Sequence, residues 1–168
     1  MKQNGSIYVS LVIIAVAGYF TYQWWFNPSR AIKRQLGELA AALSVPDAEG
    51  DVARVARFAQ LRRFFADNVR ARQGPPPAPE ITSRDALLAA VANWAAPPGG
   101  RDVQFVDVQI AVDSDATAHA FLTVEVTTPD ERTRQPVADS RDARVQMALQ
   151  NGAWVITSAE PYDPQARQ

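Results

Sequence analysis

Twenty consecutive residues, Ile7 to Phe26, carry no charge: IYVSLVIIAVAGYFTYQWWF. At 1.5 Å of rise per residue the run makes about 30 Å of helix, the thickness of a bilayer's hydrocarbon core. No other segment is apolar enough to surround it as the central helix of a water-soluble core. A cleaved export signal is the competing reading, with Lys2 as its positive start and Ile7 to Ala17 as its apolar stretch. The run is too long for that and no small-residue cleavage site follows it. It ends instead in Tyr19, Tyr22, Trp24, Trp25 and Phe26, with Tyr8 near its start, a belt of rings suited to the water–lipid interface. The prediction is a short tail at 1–6, a retained single-pass helix at 7–26, a domain at 27–159 and a polar tail at 160–168.

Two criteria for orientation oppose each other. Arg30, Lys33 and Arg34 follow the span while only Lys2 precedes it, which favours a cytoplasmic domain. A short tail and an apolar run at the very N-terminus resemble an uncleaved export signal. The expectation carried forward is a bacterial inner-membrane protein with a periplasmic domain.

Composition removes several function classes. There are 18 acids and 17 bases, a formal net charge of −1, which argues against a nucleic-acid partner. One histidine and no cysteine cannot assemble a His/Cys metal site. Gly99-Gly100 follows Pro97-Pro98 rather than a strand, so it is not a phosphate-cradling loop. No metal or cofactor is expected.

Beyond the span, helical periodicity comes first. Asn27 is a good N-cap and Pro28 suits the first helical position. Ala31, Ile32, Gln35, Leu36, Leu39 and Leu43 then recur three and four apart, predicting an amphipathic helix that stops before Pro46. Val52, Val55, Phe58, Ala59, Leu61 and Phe65 predict a second helix over 52–68, with Arg54, Arg57, Arg62 and Arg63 mostly off its apolar stripe. These arginines, with Arg30, Lys33 and Arg34, read as a solvated basic face or as a contact for anionic lipid headgroups or a partner. QGPPPAP at 73–79 is a stiff connection. Thr82 and Asp85 match a capping box before a third helix through Leu87, Leu88, Val91 and Trp94.

The period then changes to two. Val106, Val108, Ile110 and Val112 form one side of a strand over 103–112, and Ala116, Ala118, Ala120, Leu122, Val124 and Val126 one side of the next. Ala143, Val145, Met147 and Leu149 mark a third strand over 140–150, and Asn151-Gly152 is a strong hairpin signal before a fourth at 154–158. The expected class is α+β: three helices packed on the apolar face of an antiparallel sheet of four or more strands. Phe105, His119, Phe121 and Thr123 fall on the opposite face and are the candidate interface.

This order resembles the nuclear transport factor 2-like (cystatin-like, ketosteroid-isomerase-like) superfamily. The resemblance rests on ITSRDALL at 81–88, FVDV at 105–108, DSDATA at 113–118 and NGAW at 151–154. It implies a bent sheet wrapping three helices into a cone. The superfamily's isomerase-type enzymes place an acidic base and phenol or carboxylic-acid donors inside that cone. No such residue matches a position here: Asp107, Glu125 and Asp142 alternate onto the polar face, and Tyr162 lies in the C-terminal tail. The expected function is a noncatalytic, membrane-anchored interaction or scaffold subunit of a larger membrane assembly. Its expected partners are membrane lipid and other membrane subunits or further copies of itself. The alternative is a small apolar-ligand or lipid binder, or an isomerase-like enzyme, using the cone cavity.

Overall fold

A computed structural model describes residues 14, 27–72, 74, 78–94 and 97–163. The expected membrane span, with Tyr8, Tyr19, Tyr22, Trp24, Trp25 and Phe26, lies outside them apart from Ile14, and so does the tail 164–168. Among the described residues no helix is long and apolar enough to cross a membrane.

Helix α1 spans Pro28–Leu43, with the Asn27 side chain accepting from Ser29 N at 3.0 Å and Pro28 opening the first turn. Its face of Ile32, Leu36, Leu39, Ala40 and Ala42 is buried. Helix α2 spans Asp51–Arg62, six residues shorter at its C-terminal end than the apolar spacing predicts. The chain turns at Arg63 and Phe64 and becomes strand β1, Phe65–Arg72. Phe65 is buried either way, on a helical stripe or on a strand face, so its spacing from Leu61 does not discriminate. The strand wins because β6 (Ala153–Pro161) offers unpaired backbone groups along one edge, and β1 pairs with it in parallel, Ala71 opposite Ala159. Asp67 and Asn68 add little resistance, being poor helix-interior residues.

Glu80–Ile81 forms a short strand β2 against Ala71 and Arg72. Helix α3 spans Arg84–Asn93; its N-cap is Ser83, whose hydroxyl accepts from Ala86 N at 3.3 Å. The capping box expected at Thr82 and Asp85 is thus displaced by one residue, and Asp85 pairs instead with Arg62 at 3.0 Å. Strands β3 (Asp102–Ser114), β4 (Thr117–Pro129) and β5 (Pro136–Gln150) follow, then β6. The sheet therefore has six strands in the order β2-β1-β6-β5-β4-β3 and is mixed rather than wholly antiparallel. The β5–β6 hairpin turns on Asn151 and Gly152, both at positive φ (51° and 79°), as the sequence predicts.

The helices cover one face of the sheet. Ala118, Ala120 and Leu122 of β4, Val145 and Met147 of β5, and Trp154 and Ile156 of β6 meet Ile32, Leu36, Leu61, Phe64 and Val69 in one buried cluster. Burying each large apolar side chain contributes about 1.5–3 kcal/mol.

One strand changes face midway. Asp107 adopts φ 52°, and the β3–β4 register shifts between Val106 and Gln109. A bulge of this kind adds one residue and reverses the alternation beyond it. Before it, Val103 is buried and Phe105, opposite Val124, packs against the core; after it, Val108 and Ile110 do. Phe105, expected on the outer face, is therefore an inner-face residue, and Val106 takes the outer position opposite Thr123.

The link between α1 and α2 is held by a partly buried ion pair. Arg57 donates from Nε and Nη2 to both oxygens of Glu49, at 2.7 and 2.9 Å. Those hydrogen bonds hold the Glu49 carboxyl below its usual pKa, against partial burial, which pushes it up; the charges of Arg57 and Arg54 add to the lowering.

Two predictions follow from these contacts. Asp107→Gly keeps stability or raises it by up to about 1 kcal/mol, whereas Asp107→Val lowers it by about 1–2 kcal/mol, because a β-branched residue resists positive φ; urea denaturation reads both. Glu49 has a lowered folded pKa, so its contribution is present above the unfolded carboxyl pKa and is lost as pH falls below about 4.5 through the folded value. The stability gap between the native chain and Glu49→Gln should close steadily over that acidic range; an equal gap at neutral and acid pH contradicts the assignment.

Candidate functional site

A cone of this kind works as a catalytic pocket only if its interior holds space and a titratable group. Here the interior holds side chains. Phe64, Ile32, Leu36, Leu61, Met147 and Val69 are all less than 3 % exposed. Among the described residues Arg101 is the one buried polar or charged residue. Among the described residues no carboxyl, imidazole or phenol is buried in the core.

Arg101 lies at the base of β3, where its backbone N–H and C=O pair with those of Val45 at 2.8 Å. Gly100 makes that approach possible: it sits at φ 81°, and a Cβ there would stand 2.5 Å from the Val45 carbonyl oxygen. The guanidinium turns inward, 4 % exposed, with no carboxylate partner. Nη1 donates to the Trp94 carbonyl at 3.2 Å and Nη2 to the Leu43 carbonyl at 3.4 Å, while the carbon between them lies 3.5 Å from the centre of the Trp94 ring. Leu43 is the last residue of α1 and Trp94 caps α3. Each helix end carries about half a negative charge, so the two together offset much of one positive charge. Burial, and then the charge of Arg57, push the Arg101 pKa down from its ordinary value. The group therefore joins two helix ends to a strand, and Arg101 also lines the open cleft between the end of α1 and the start of β3. Nothing in the sequence marks it: an arginine after two glycines reads as an ordinary strand start.

The polar chemistry lies on the outer face. His119 Nδ1 is 2.9 Å from Asp113 Oδ1, and its ring meets Phe121 edge-on at 5.4 Å between centres. Phe121 packs against Tyr162 at 4.8 Å, and the Arg144 guanidinium lies 5.8 Å from the Phe121 ring. Arg144 approaches Glu160 at 3.7 Å, and Thr123 donates to Asp142 at 2.6 Å. The structure thus brings together His119, Phe121 and Thr123, as expected, and replaces Phe105 with Tyr162, Arg144 and Asp113. Tyr162 was hidden by the expectation that the last strand ends at Ser158; β6 continues to Pro161 and delivers the ring.

The basic residues of α1 and α2 largely meet acids. Arg54 pairs with Asp51 at 2.5 Å, Arg57 with Glu49, Arg62 with Asp85, and Arg63 with Glu38 at 2.8 Å; Arg34 approaches Glu38 at 4.0 Å. Arg30 and Lys33 occupy the N-terminal half of α1. An open cleft of about 550 Å³ lies between the end of α1, the start of β3 and the β4–β5 turn, lined in part by Ser44, Val45, Pro46, Thr128 and Arg134. It holds no His, and its one carboxylate, Asp102, accepts from Gln104 at 2.8 Å. Among the described residues no cluster of three metal-ligating side chains exists.

No protein-family model matches this chain, and no curated protein does. Solved structures do. An NTF2-like protein with a cystatin-like fold from Novosphingobium aromaticivorans matches with TM-score 0.58 and 15 % identity, over 80 % of this chain and 86 % of its own. A proposed scytalone dehydratase from the same organism gives TM-score 0.62 at 16 % identity, over 79 % of this chain and 81 % of its own. The association domain of CaMKII from C. elegans gives TM-score 0.61 at 11 % identity, over 80 % and 95 %. At such identities the likeness establishes the fold and leaves the activity open. The domain has the nuclear transport factor 2-like, cystatin-like fold.

Proposed function

We propose that this chain is a noncatalytic docking subunit. The segment 7–26 holds it at a membrane, and the outer face of its sheet receives another protein of the same assembly. The observation that carries the proposal is the filled interior: among the described residues the one buried charge, Arg101, is bound to two helix ends, and no carboxyl, imidazole or phenol is buried in the core. What remains chemically distinctive is a half-buried aromatic group on a sheet face, Phe121 with Tyr162 and His119, ringed by polar side chains. Aromatic anchors with a polar rim are the usual composition of a protein interface. That the same fold serves as an association domain in one of the matched structures supports this reading. The apolar-ligand and isomerase readings need a cavity among the core side chains, and the described core residues fill that space.

The test is purification of the full chain from its own membrane in mild detergent. A partner protein should co-purify in fixed stoichiometry and be lost on Phe121→Glu, with affinity reduced at least about 30-fold, the effect of removing one anchor residue. Val52→Ser, at an exposed position of α2, should retain it. A chain that purifies alone, or a partner indifferent to Phe121→Glu, overturns the proposal.

A further inference from the structure

The charge of this domain is divided unevenly between the two halves of its sequence. Residues 27–84, which contain α1 and α2, carry ten Lys and Arg against six acids; residues 85–163, which contain β3 to β6, carry twelve acids against five arginines. The near-neutral total conceals this split.

On the outer sheet face the imbalance is local. The register places Glu125 and Asp142 on the same side as His119, Phe121 and Thr123, since the even positions Ala118, Ala120 and Leu122 point into the core. Glu160 lies opposite Arg144 on that side, and Asp113 reaches it through His119. Four carboxylates therefore share the outer face with the Phe121–Tyr162 pair; Asp113, Asp142 and Glu160 already meet His119, Thr123 and Arg144, while Glu125 stands two positions beyond Thr123 along β4. Two such faces laid together would oppose acid to acid, and like-charge juxtaposition is how interfaces reject a partner. The basic faces of α1 and α2 are poor candidates for the complement in another copy, because most of their arginines already meet carboxylates within the chain.

We infer that the outer sheet face docks a basic segment of a different protein, one whose Arg or Lys side chains meet Glu125, Asp142, Glu160 and Asp113 while an aromatic or aliphatic residue packs on Phe121 and Tyr162. The inference rests on the docking reading and adds the chemistry of the partner. Both parts of such a segment find a counterpart. Its apolar residue covers rings that are only half-buried, and its cations lie within reach of carboxylates and of aromatic faces, which themselves attract cations.

The experiment uses three blocked peptides that differ only in charge, RWRWR, QWQWQ and EWEWE, titrated into the isotopically labelled full chain in zwitterionic micelles. The expected result is that RWRWR shifts the amides of His119, Phe121, Thr123 and Arg144, binds at least about 10-fold more tightly than QWQWQ, and weakens several-fold between about 50 and about 300 mM salt as screening grows. EWEWE should leave those amides unmoved. The double variant Glu125→Gln with Asp142→Asn should erase most of the difference between RWRWR and QWQWQ, while QWQWQ binding stays as before. Equal binding of all three peptides at the outer face overturns the inference about charge and leaves the docking proposal standing. Shifts from RWRWR confined to other surfaces overturn it too. The docking proposal itself fails by the separate route of a native partner that ignores Phe121→Glu.

Discussion

The guanidinium of Arg101 is the point on which the arrangement of helices and sheet depends. A charge removed from water is costly unless compensated, and here the compensation comes from main-chain carbonyls rather than a carboxylate. Those carbonyls belong to the C-terminal ends of α1 and α3, so the same contact that satisfies the charge fixes where both helices stop relative to the first residue of β3. The Trp94 ring covers the group, and Gly100 lets the strand start close enough to Val45 for the arginine to reach inward. Among the described residues it is the one buried polar side chain.

Two local irregularities then decide what each sheet face offers. The bulge at Asp107 sends Phe105 inward and Val106 outward, enlarging the core at the β3 edge and removing an aromatic ring from the outer surface. A register shift in the β5–β6 ladder past Gln146 keeps Val145 opposite Ala159 and brings Arg144 opposite Glu160. The outer face that results carries an aromatic pair together with carboxylates. Neither feature depends on what this fold is used for elsewhere. A proposed dehydratase and an association domain share this backbone because the sheet and helices fix a shell, while the side chains that fill the shell and cover it fix the chemistry.

Local signals in the sequence were strong wherever a few adjacent residues control the backbone. Asn27 and Pro28 set the start of α1, Asn151 and Gly152 set the last hairpin, and the period of two in β4 and β5 separated core from surface correctly at Ala118 through Leu122 and at Val145 and Met147. Half of the outer site was legible from the same alternation, which put His119, Phe121 and Thr123 together. The other half was not, because Tyr162, Asp113 and Arg144 arrive from strand ends and neighbouring strands whose register no local pattern reports.

The sequence by itself determined the α+β class of the fold and the order and approximate places of three helices and four strands, since caps, turns and periodicity are properties of short stretches of chain. Only the tertiary structure decided that residues 65–72 pair with β6 instead of extending a helix, that Asp107 turns its strand over, and that Arg101 closes two helix ends. Each of those outcomes is set by a partner far away in the chain, and its energy exists only once that partner is in place.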